Sequence, residues 1–184
     1  MTPAEYVQLK AFARIDGLFL ALLWLASFAC YIVGLSSPLW AMGALLLAFV
    51  TPFFVAQRLR LFRDVAREGA ISFRRGWGYV VLVFFYAGLL FAMAQYAYFA
   101  YMDQGYLLHS LQSMMESPEA REMMAQSGMQ DAMTDSLSQL QAMRPIDLAL
   151  NILTTNIMAG ILLGLPIAAV VKQGVKTTNR EIQQ

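Results

Sequence analysis

Three long uncharged stretches dominate the pattern of hydrophobic and polar positions along the chain. Asp, Glu, Lys, Arg and His are absent from residues 17–57, 76–102 and 148–171. A helix needs about 20 apolar residues to cross the roughly 30 Å hydrocarbon core of a bilayer. The first stretch is long enough for two such helices, and the other two hold one each. We number the four predicted transmembrane spans along the chain, and they cover residues 16–35, 39–57, 77–102 and 146–171.

The turn between spans one and two is short. Ser36, Ser37 and Pro38 are the polar and helix-breaking residues that separate them, so the two helices must form an antiparallel hairpin. The helix of span two is expected to continue past the apolar stretch to Glu68, with Gly69 as its stop.

Residues 103–145, between spans three and four, are polar and rich in methionine. Apolar residues recur there at helical spacing, first from Leu107 to Met115 and again from Met129 to Leu140. The pattern predicts two or three short amphipathic helices on or near the membrane. The predicted fold class is therefore all-α, a single membrane domain over residues 1–184 in which a four-helix transmembrane bundle carries short amphipathic helices between its third and fourth spans.

Composition and charge agree with a membrane protein and predict its orientation. Hydrophobic residues make up 59% of the chain and charged residues 14%, against about 25% charged in soluble domains. Of the 13 Lys and Arg residues, 11 lie before span one, between spans two and three, or after span four. Basic residues in short loops stay in the cytoplasm. We therefore predict that both termini are cytoplasmic and that residues 103–145 are extracytoplasmic.

The residue types that catalysis requires are scarce. His109 is the single histidine and Cys30 the single cysteine, so the sequence offers no metal-spaced set, phosphate-binding loop or nucleophile–base pair. We expect no catalytic residues, no metal site and no cofactor, and we predict that the protein is not an enzyme. The net charge of +1 gives no indication of nucleic-acid binding.

Two features of span four and one of the basic loop are candidate sites. A polar patch in span four either lines a pore or binding site, or joins helices by hydrogen bonds. A face of small residues in the same span predicts close packing against another helix, in this chain, a second copy or another protein. The arginines between spans two and three either bind anionic lipid or act only in setting the topology. The patch is Asn151, Thr154, Thr155 and Asn156, the face is Gly160, Gly164 and Ala168, and the arginines are Arg58, Arg60, Arg63, Arg67, Arg74 and Arg75.

Two sets of matching residues raise the hypothesis of an internal repeat. Pro52 and Pro166 are each followed six residues later by a basic residue, and Gly17 and Gly78 follow similar Phe-x-Arg sequences. The chain would then be two parallel helical hairpins with residues 103–145 inserted into the second.

The run from Arg63 to Val80, RDVAREGAISFRRGWGYV, resembles the signature region of a bacterial family catalogued as domain of unknown function 4199. The resemblance covers nearly the whole chain, although Arg74 and Arg75 stand where small or acidic residues are common in the family. It implies an inner-membrane protein without an assigned activity. Genes of relatives often lie near genes for membrane-associated glycosyltransferases. The resemblance therefore also implies an accessory role beside such an enzyme.

Three functions remain as hypotheses, and the third is an enzyme whose active site forms only in a complex. The first is an accessory or scaffold subunit of an envelope assembly, which binds another membrane protein or a second copy of itself through the methionine-rich helices, because flexible thioethers adapt to a partner's shape. The second is a small carrier or channel that uses the polar patch of span four.

Overall fold

The computed structural model describes residues 2–172, and these residues form seven α-helices and no strand. Four helices are long and apolar enough to cross a membrane, and three short ones lie between the third and fourth of them. The all-α fold with four long apolar helices is confirmed. The helices are α1 Pro3–Gly34, α2 Pro38–Ala66, α3 Phe73–Tyr101, α4 Tyr106–Glu116, α5 Pro118–Ser127, α6 Gln130–Ala142 and α7 Pro145–Val171.

The long helices begin and end where the local sequence dictates. Thr2 and Glu5 form a reciprocal capping box at the start of α1, which satisfies backbone N–H groups that have no partner within the helix. The helix α2 ends at Ala66, two residues before its predicted end at Glu68, because Glu68 and Gly69 adopt left-handed φ angles of 51° and 82°. Lys176 and Arg180 of the predicted basic tail lie outside the described residues.

The four long helices are arranged in the order α2, α1, α3, α7. The helix α3 packs most extensively against α7 and α1, and α1 packs against α2. Glycines permit the close approaches, since a Cβ added to Gly17 would lie 2.7 Å from the Cβ of Tyr86, and one added to Gly164 would lie 2.9 Å from Cδ1 of Trp77. Gly78 has no neighbouring atom within 4 Å of an added Cβ, so it and Gly17 have different surroundings, and the internal repeat stays a hypothesis.

The two ends of the bundle differ. We call the end formed by residues 2–16, 58–76 and 166–172 the arginine end, and the opposite end, which carries α4–α6, the methionine end. At the arginine end α2 and α7 meet, because Leu59 and Ala168 both lie beside Gly76 and Arg63 donates to the Val171 carbonyl at 3.1 Å. The most deeply buried apolar side chains are in this half of the bundle: Leu20, Val55, Leu59, Tyr79, Val80, Val83 and Val171 are all fully buried.

The three short helices α4–α6 form a separate layer at the methionine end. Asp103 starts α4 by accepting from the backbone N–H groups of Gly105 and Leu107, and the hydroxyls of Ser36 and Tyr106 lie 2.7 Å apart. The three helices pack on one another, their contacts with the long helices are sparse, and none of their residues is buried. They are the short helices that the amphipathic pattern predicted.

Candidate functional site

A buried polar cluster joins α1, α2 and α3 near the arginine end. Asp16 of α1 is 1% exposed. Its carboxylate accepts from Nε of Arg58 at 2.6 Å and forms an ion pair with that guanidinium, and it also accepts from the hydroxyl of Tyr79. A buried carboxylate is costly unless it is paired and hydrogen-bonded, so this one carboxylate requires all three helices to be in place.

Aromatic rings enclose the polar cluster. The Phe62 ring stacks on Tyr79 with a centroid distance of 4.7 Å, and Phe12 lies 5.3 Å from Phe62. The Arg58 guanidinium lies over the ring of Phe19 at 5.4 Å from its centre. The guanidinium and the phenol thus neutralise and shield the carboxylate, an arrangement that suits the joining of helices.

Sequence reasoning missed Asp16 and Tyr79 as members of a site. The hydropathy pattern puts Asp16 at the edge of span one, and the charge pattern puts Arg58 in the basic loop. A signal was present, because Asp16 and Arg58 are equally far from Ser37 at the centre of the predicted hairpin. An antiparallel hairpin brings residues equidistant from its turn to the same level.

A second ionic cluster fixes the first turn of α1 at the arginine end. The Glu5 carboxylate contacts Arg67 at 3.0 Å and Arg75 at 2.9 Å. Arg67 directly follows α2, and Arg75 lies in the first turn of α3. Glu5 precedes the uncharged part of α1, and its carboxylate also accepts from the Thr2 backbone N–H. That hydrogen bond, together with the Arg67 guanidinium, lowers the pKa of Glu5.

The six arginines proposed as lipid contacts therefore have different surroundings. Arg58 pairs with Asp16, Arg67 and Arg75 pair with Glu5, and Arg63 pairs with Asp64 and donates to a backbone carbonyl. Arg60 and Arg74 are exposed. Contact with anionic lipid stays a prediction, and the ion pairs reduce the number of arginines that are available for it.

A cleft of about 480 Å³ lies in the methionine half of the bundle and is lined mainly by α1 and α2. Two of its lining residues are joined to each other, because the Trp24 indole donates to the Thr51 hydroxyl at 3.0 Å. Leu45, 72% exposed, stands at its rim, so the cleft opens toward the surface that lipid would cover. Its walls come from all four long helices: Trp24, Ser27, Phe28, Tyr31, Ala41, Ala44, Leu45, Ala48, Thr51, Phe91 and Asn156.

The predicted polar patch of span four is divided between the cleft and the surface. Asn156 lines the cleft, and its Nδ2 atom is buried without a hydrogen-bond partner among the described residues. Asn151, Thr154 and Thr155 are exposed, and the Thr154 hydroxyl donates to the Leu150 carbonyl of its own helix at 2.9 Å. The patch thus contributes one amide to a site, because a helix places consecutive residues on different faces.

The small-residue face of span four packs inside this chain. Gly160 lies against the Phe84 ring, Gly164 against Trp77, and Ala168 beside Gly76, all on α3. The Trp77 indole donates to the Ile161 carbonyl at 3.1 Å. The close contact that these small residues permit is the α3–α7 interface.

Catalytic chemistry has little to act through in the described residues. Within residues 2–172, no group of three or more His, Cys, Asp and Glu side chains is placed to hold a metal ion, and His109 is exposed on α4. Asp16, the most buried carboxylate there, is neutralised by its partners. That the protein is not an enzyme stays a prediction.

Comparisons with known proteins fit this description. No significant match is found among curated proteins or solved structures. A family model described as "Protein of unknown function (DUF4199)" matches residues 16–173, which begin at the buried carboxylate of Asp16 and continue through the end of α7. The match spans most of the chain and includes all seven helices apart from the first turns of α1, so the protein belongs to the DUF4199 family.

Proposed function

We propose that this protein is a non-catalytic component of the bacterial inner membrane that binds another membrane protein through its methionine end. The observation that supports the proposal is the layer α4–α6. Its helices hold few contacts with the rest of the chain and expose thioether side chains, with Met123 70% exposed and Met129 52% exposed. Large exposed apolar side chains on one surface typically mark an interaction site, and methionine suits an adaptable one.

The charge distribution supports an orientation with this layer outside the cytoplasm. The arginine end carries the basic residues, which remain on the cytoplasmic side of membrane proteins. Seven acidic residues accompany two arginines between α3 and the start of α7. The partner would therefore be met at the extracytoplasmic surface, as expected for an envelope assembly, and a membrane glycosyltransferase is the partner class that the family resemblance suggests.

Site-directed photocrosslinking in native membranes tests the proposal. A photoreactive amino acid in place of Met123 should crosslink to one stoichiometric membrane protein, because that side chain projects from the exposed layer. The matched control is the same amino acid in place of Leu46, which is 65% exposed on the lipid-facing side of α2. Crosslinks to lipid alone at both positions, with elution of the protein as a monomer in mild detergent, would overturn the subunit proposal.

The buried amide of Asn156 favours a second candidate function, a small carrier for a hydrogen-bonding solute. Leu20 and Val55, in the arginine half of the bundle, are fully buried and do not line the cleft, so transport through the bundle would require these helices to move. Solute uptake into proteoliposomes should fall on Asn156→Ala and persist on Asn151→Ala, which alters an exposed amide of the same helix. Equal uptake by both variants and by empty liposomes would exclude the carrier.

A further inference from the structure

A groove opens between α1 and α3 at the arginine end of the bundle. The two helices pack tightly at Gly17, where an added Cβ would lie 3.1 Å from the carbonyl oxygen of Val83. Nearer their N-terminal ends the helices enclose a volume of about 460 Å³. The groove is lined by Tyr6, Leu9, Ser72, Arg74, Arg75, Gly78 and Leu82.

The deeper part of the groove is apolar and unfilled. Leu9 is 4% exposed and forms one wall. Leu82 lies one helical turn after Gly78 on α3, which is about 6 Å further along the helix axis. A Cβ added at Gly78 meets no atom within 4 Å, so the absence of a side chain leaves open space there rather than a helix contact.

The mouth of the groove is cationic. Arg74 and Arg75 both line it, and Lys10 lies close by, with its Nζ 4.5 Å from the centre of the Tyr6 ring. Glu5 is the acid in contact with this set, and it is shared between Arg75 and Arg67. The groove mouth therefore has three basic side chains and one acid, and its net charge is positive.

The depth of the groove matches one phospholipid. Arg74 and Arg75 immediately precede the uncharged stretch 76–102, so their guanidinium groups lie at the level of the lipid headgroups when α3 spans the bilayer. Gly78 and Leu82 are one and two turns deeper, at the level where acyl chains begin. Guanidinium groups bind phosphate oxygens strongly, and an apolar floor beneath them suits a chain rather than water.

We propose that this groove binds one anionic phospholipid of the leaflet at the arginine end. Its phosphate lies between Arg74 and Arg75, and one acyl chain lies along Gly78 and Leu82 against Leu9. This site is narrower than the set of six arginines that the sequence suggested, because Arg58 and Arg63 are held by partners elsewhere in the protein. It is also independent of any protein partner at the methionine end.

Lipid binding by the purified full-length protein tests the proposal. The probe is phosphatidylglycerol titrated into protein in a neutral detergent, with bound lipid counted by native mass spectrometry, and phosphatidylcholine and glycerol phosphate are titrated in parallel. One phosphatidylglycerol should bind at least tenfold more tightly than phosphatidylcholine. Arg74→Gln should weaken phosphatidylglycerol about fivefold, because each basic residue at a membrane surface contributes about that factor.

Two further variants separate the groove from general charge. Arg60→Gln removes an exposed arginine outside the groove and should leave the affinity within twofold of the unmodified protein. Gly78→Leu keeps every charge and fills the open space, so it should reduce phosphatidylglycerol binding at least tenfold. Because leucine is also the better helix former, this variant should fold, which a retained thermal unfolding temperature will verify.

The outcomes decide the proposal in each direction. Loss of binding on Gly78→Leu and Arg74→Gln, with Arg60→Gln unaffected, supports a lipid in the groove. Equal losses on Arg60→Gln and Arg74→Gln would show non-specific attraction and overturn it. Binding of glycerol phosphate as tight as that of the whole lipid would assign the site to a free phosphate compound, and undiminished binding by Gly78→Leu would exclude the acyl chain from the groove.

Discussion

The buried pair of Asp16 and Arg58 gives the most demanding test of the fold. Replacing Arg58 by methionine keeps an unbranched side chain but removes the guanidinium from the carboxylate of Asp16, which is 1% exposed. The Tyr79 hydroxyl would remain as a donor to that carboxylate. The buried negative charge of Asp16 would then be stabilised only by a hydrogen bond from a neutral donor.

The magnitude follows from the burial of the two partners. Removing one partner of a buried ion pair costs about 3–5 kcal/mol, because the other charge is left uncompensated. The Arg58 side chain is 26% exposed, so water reaches this level and the lower value applies. We expect Arg58→Met to reduce the free energy of unfolding by about 3 kcal/mol, which is about two powers of ten in the unfolding equilibrium constant.

A double-mutant cycle isolates the interaction. Asp16→Asn keeps the shape of the side chain and an acceptor for Tyr79 while removing the charge, and the partly exposed Arg58 remains solvated, so its cost should be about 1 kcal/mol. Combining Asp16→Asn with Arg58→Met should cost less than the sum of the two single changes by about 2 kcal/mol. Reversible unfolding in mixed micelles, followed by helical circular dichroism, provides all four free energies.

Additive losses of unfolding free energy in the double variant would contradict the proposed ion pair. If the double variant loses the sum of the single losses, the two charges do not interact and the geometry of the cluster is wrong. If Arg58→Met has no effect on the free energy of unfolding, the guanidinium does not stabilise the buried carboxylate, which again contradicts the cluster.

Three other changes, and a control for one of them, test individual contacts by the same unfolding assay. Trp24→Phe removes the indole donor to Thr51 and should cost about 1 kcal/mol, unless the hydroxyl finds another partner. Gly160→Leu forces a side chain into the Phe84 ring and should cost 1–3 kcal/mol or more by overpacking, whereas Gly43→Ala, with no atom near the added Cβ, should be neutral or stabilising by about 0.5 kcal/mol. Thr2→Ala removes the capping box of α1 and should cost about 1 kcal/mol, which a shift of the unfolding midpoint reports.

The long helices were predictable because their signal is local. The uncharged run 17–57 identifies two helices and the turn at Ser37 makes them antiparallel, and the structure has α1 and α2 in that arrangement. The bounds differ because helices continue beyond the hydrocarbon-like stretch. The helix α1 begins at Pro3 because Thr2 caps it there, and hydropathy does not determine that boundary.

The sites were less predictable because they depend on contacts between helices distant in the chain. Periodicity placed Asn156 within a patch of four polar residues, but the choice of Asn156 as the residue in the cleft depends on how α7 rotates against α3. Likewise, a row of six arginines looks uniform in sequence. The positions of Asp16 and Glu5 in space show which of them have acidic partners within the protein, namely Arg58, Arg67 and Arg75. Arg74, next to Arg75 in the sequence, is exposed instead.

The difference between the two ends of the bundle indicates where this protein can change. At the arginine end, ion pairs from Asp16 and Glu5 connect α1, α2 and α3, and Arg63 holds the last turn of α7. At the methionine end, the walls of the cleft include five residues of α2 and Asn156 of α7, and no ion pair joins these two helices among residues 2–172. Separating α2 from α7 at that end would expose apolar walls to lipid rather than break ion pairs. The ion pairs of the described residues therefore oppose movement of the helices at the arginine end and not around the cleft.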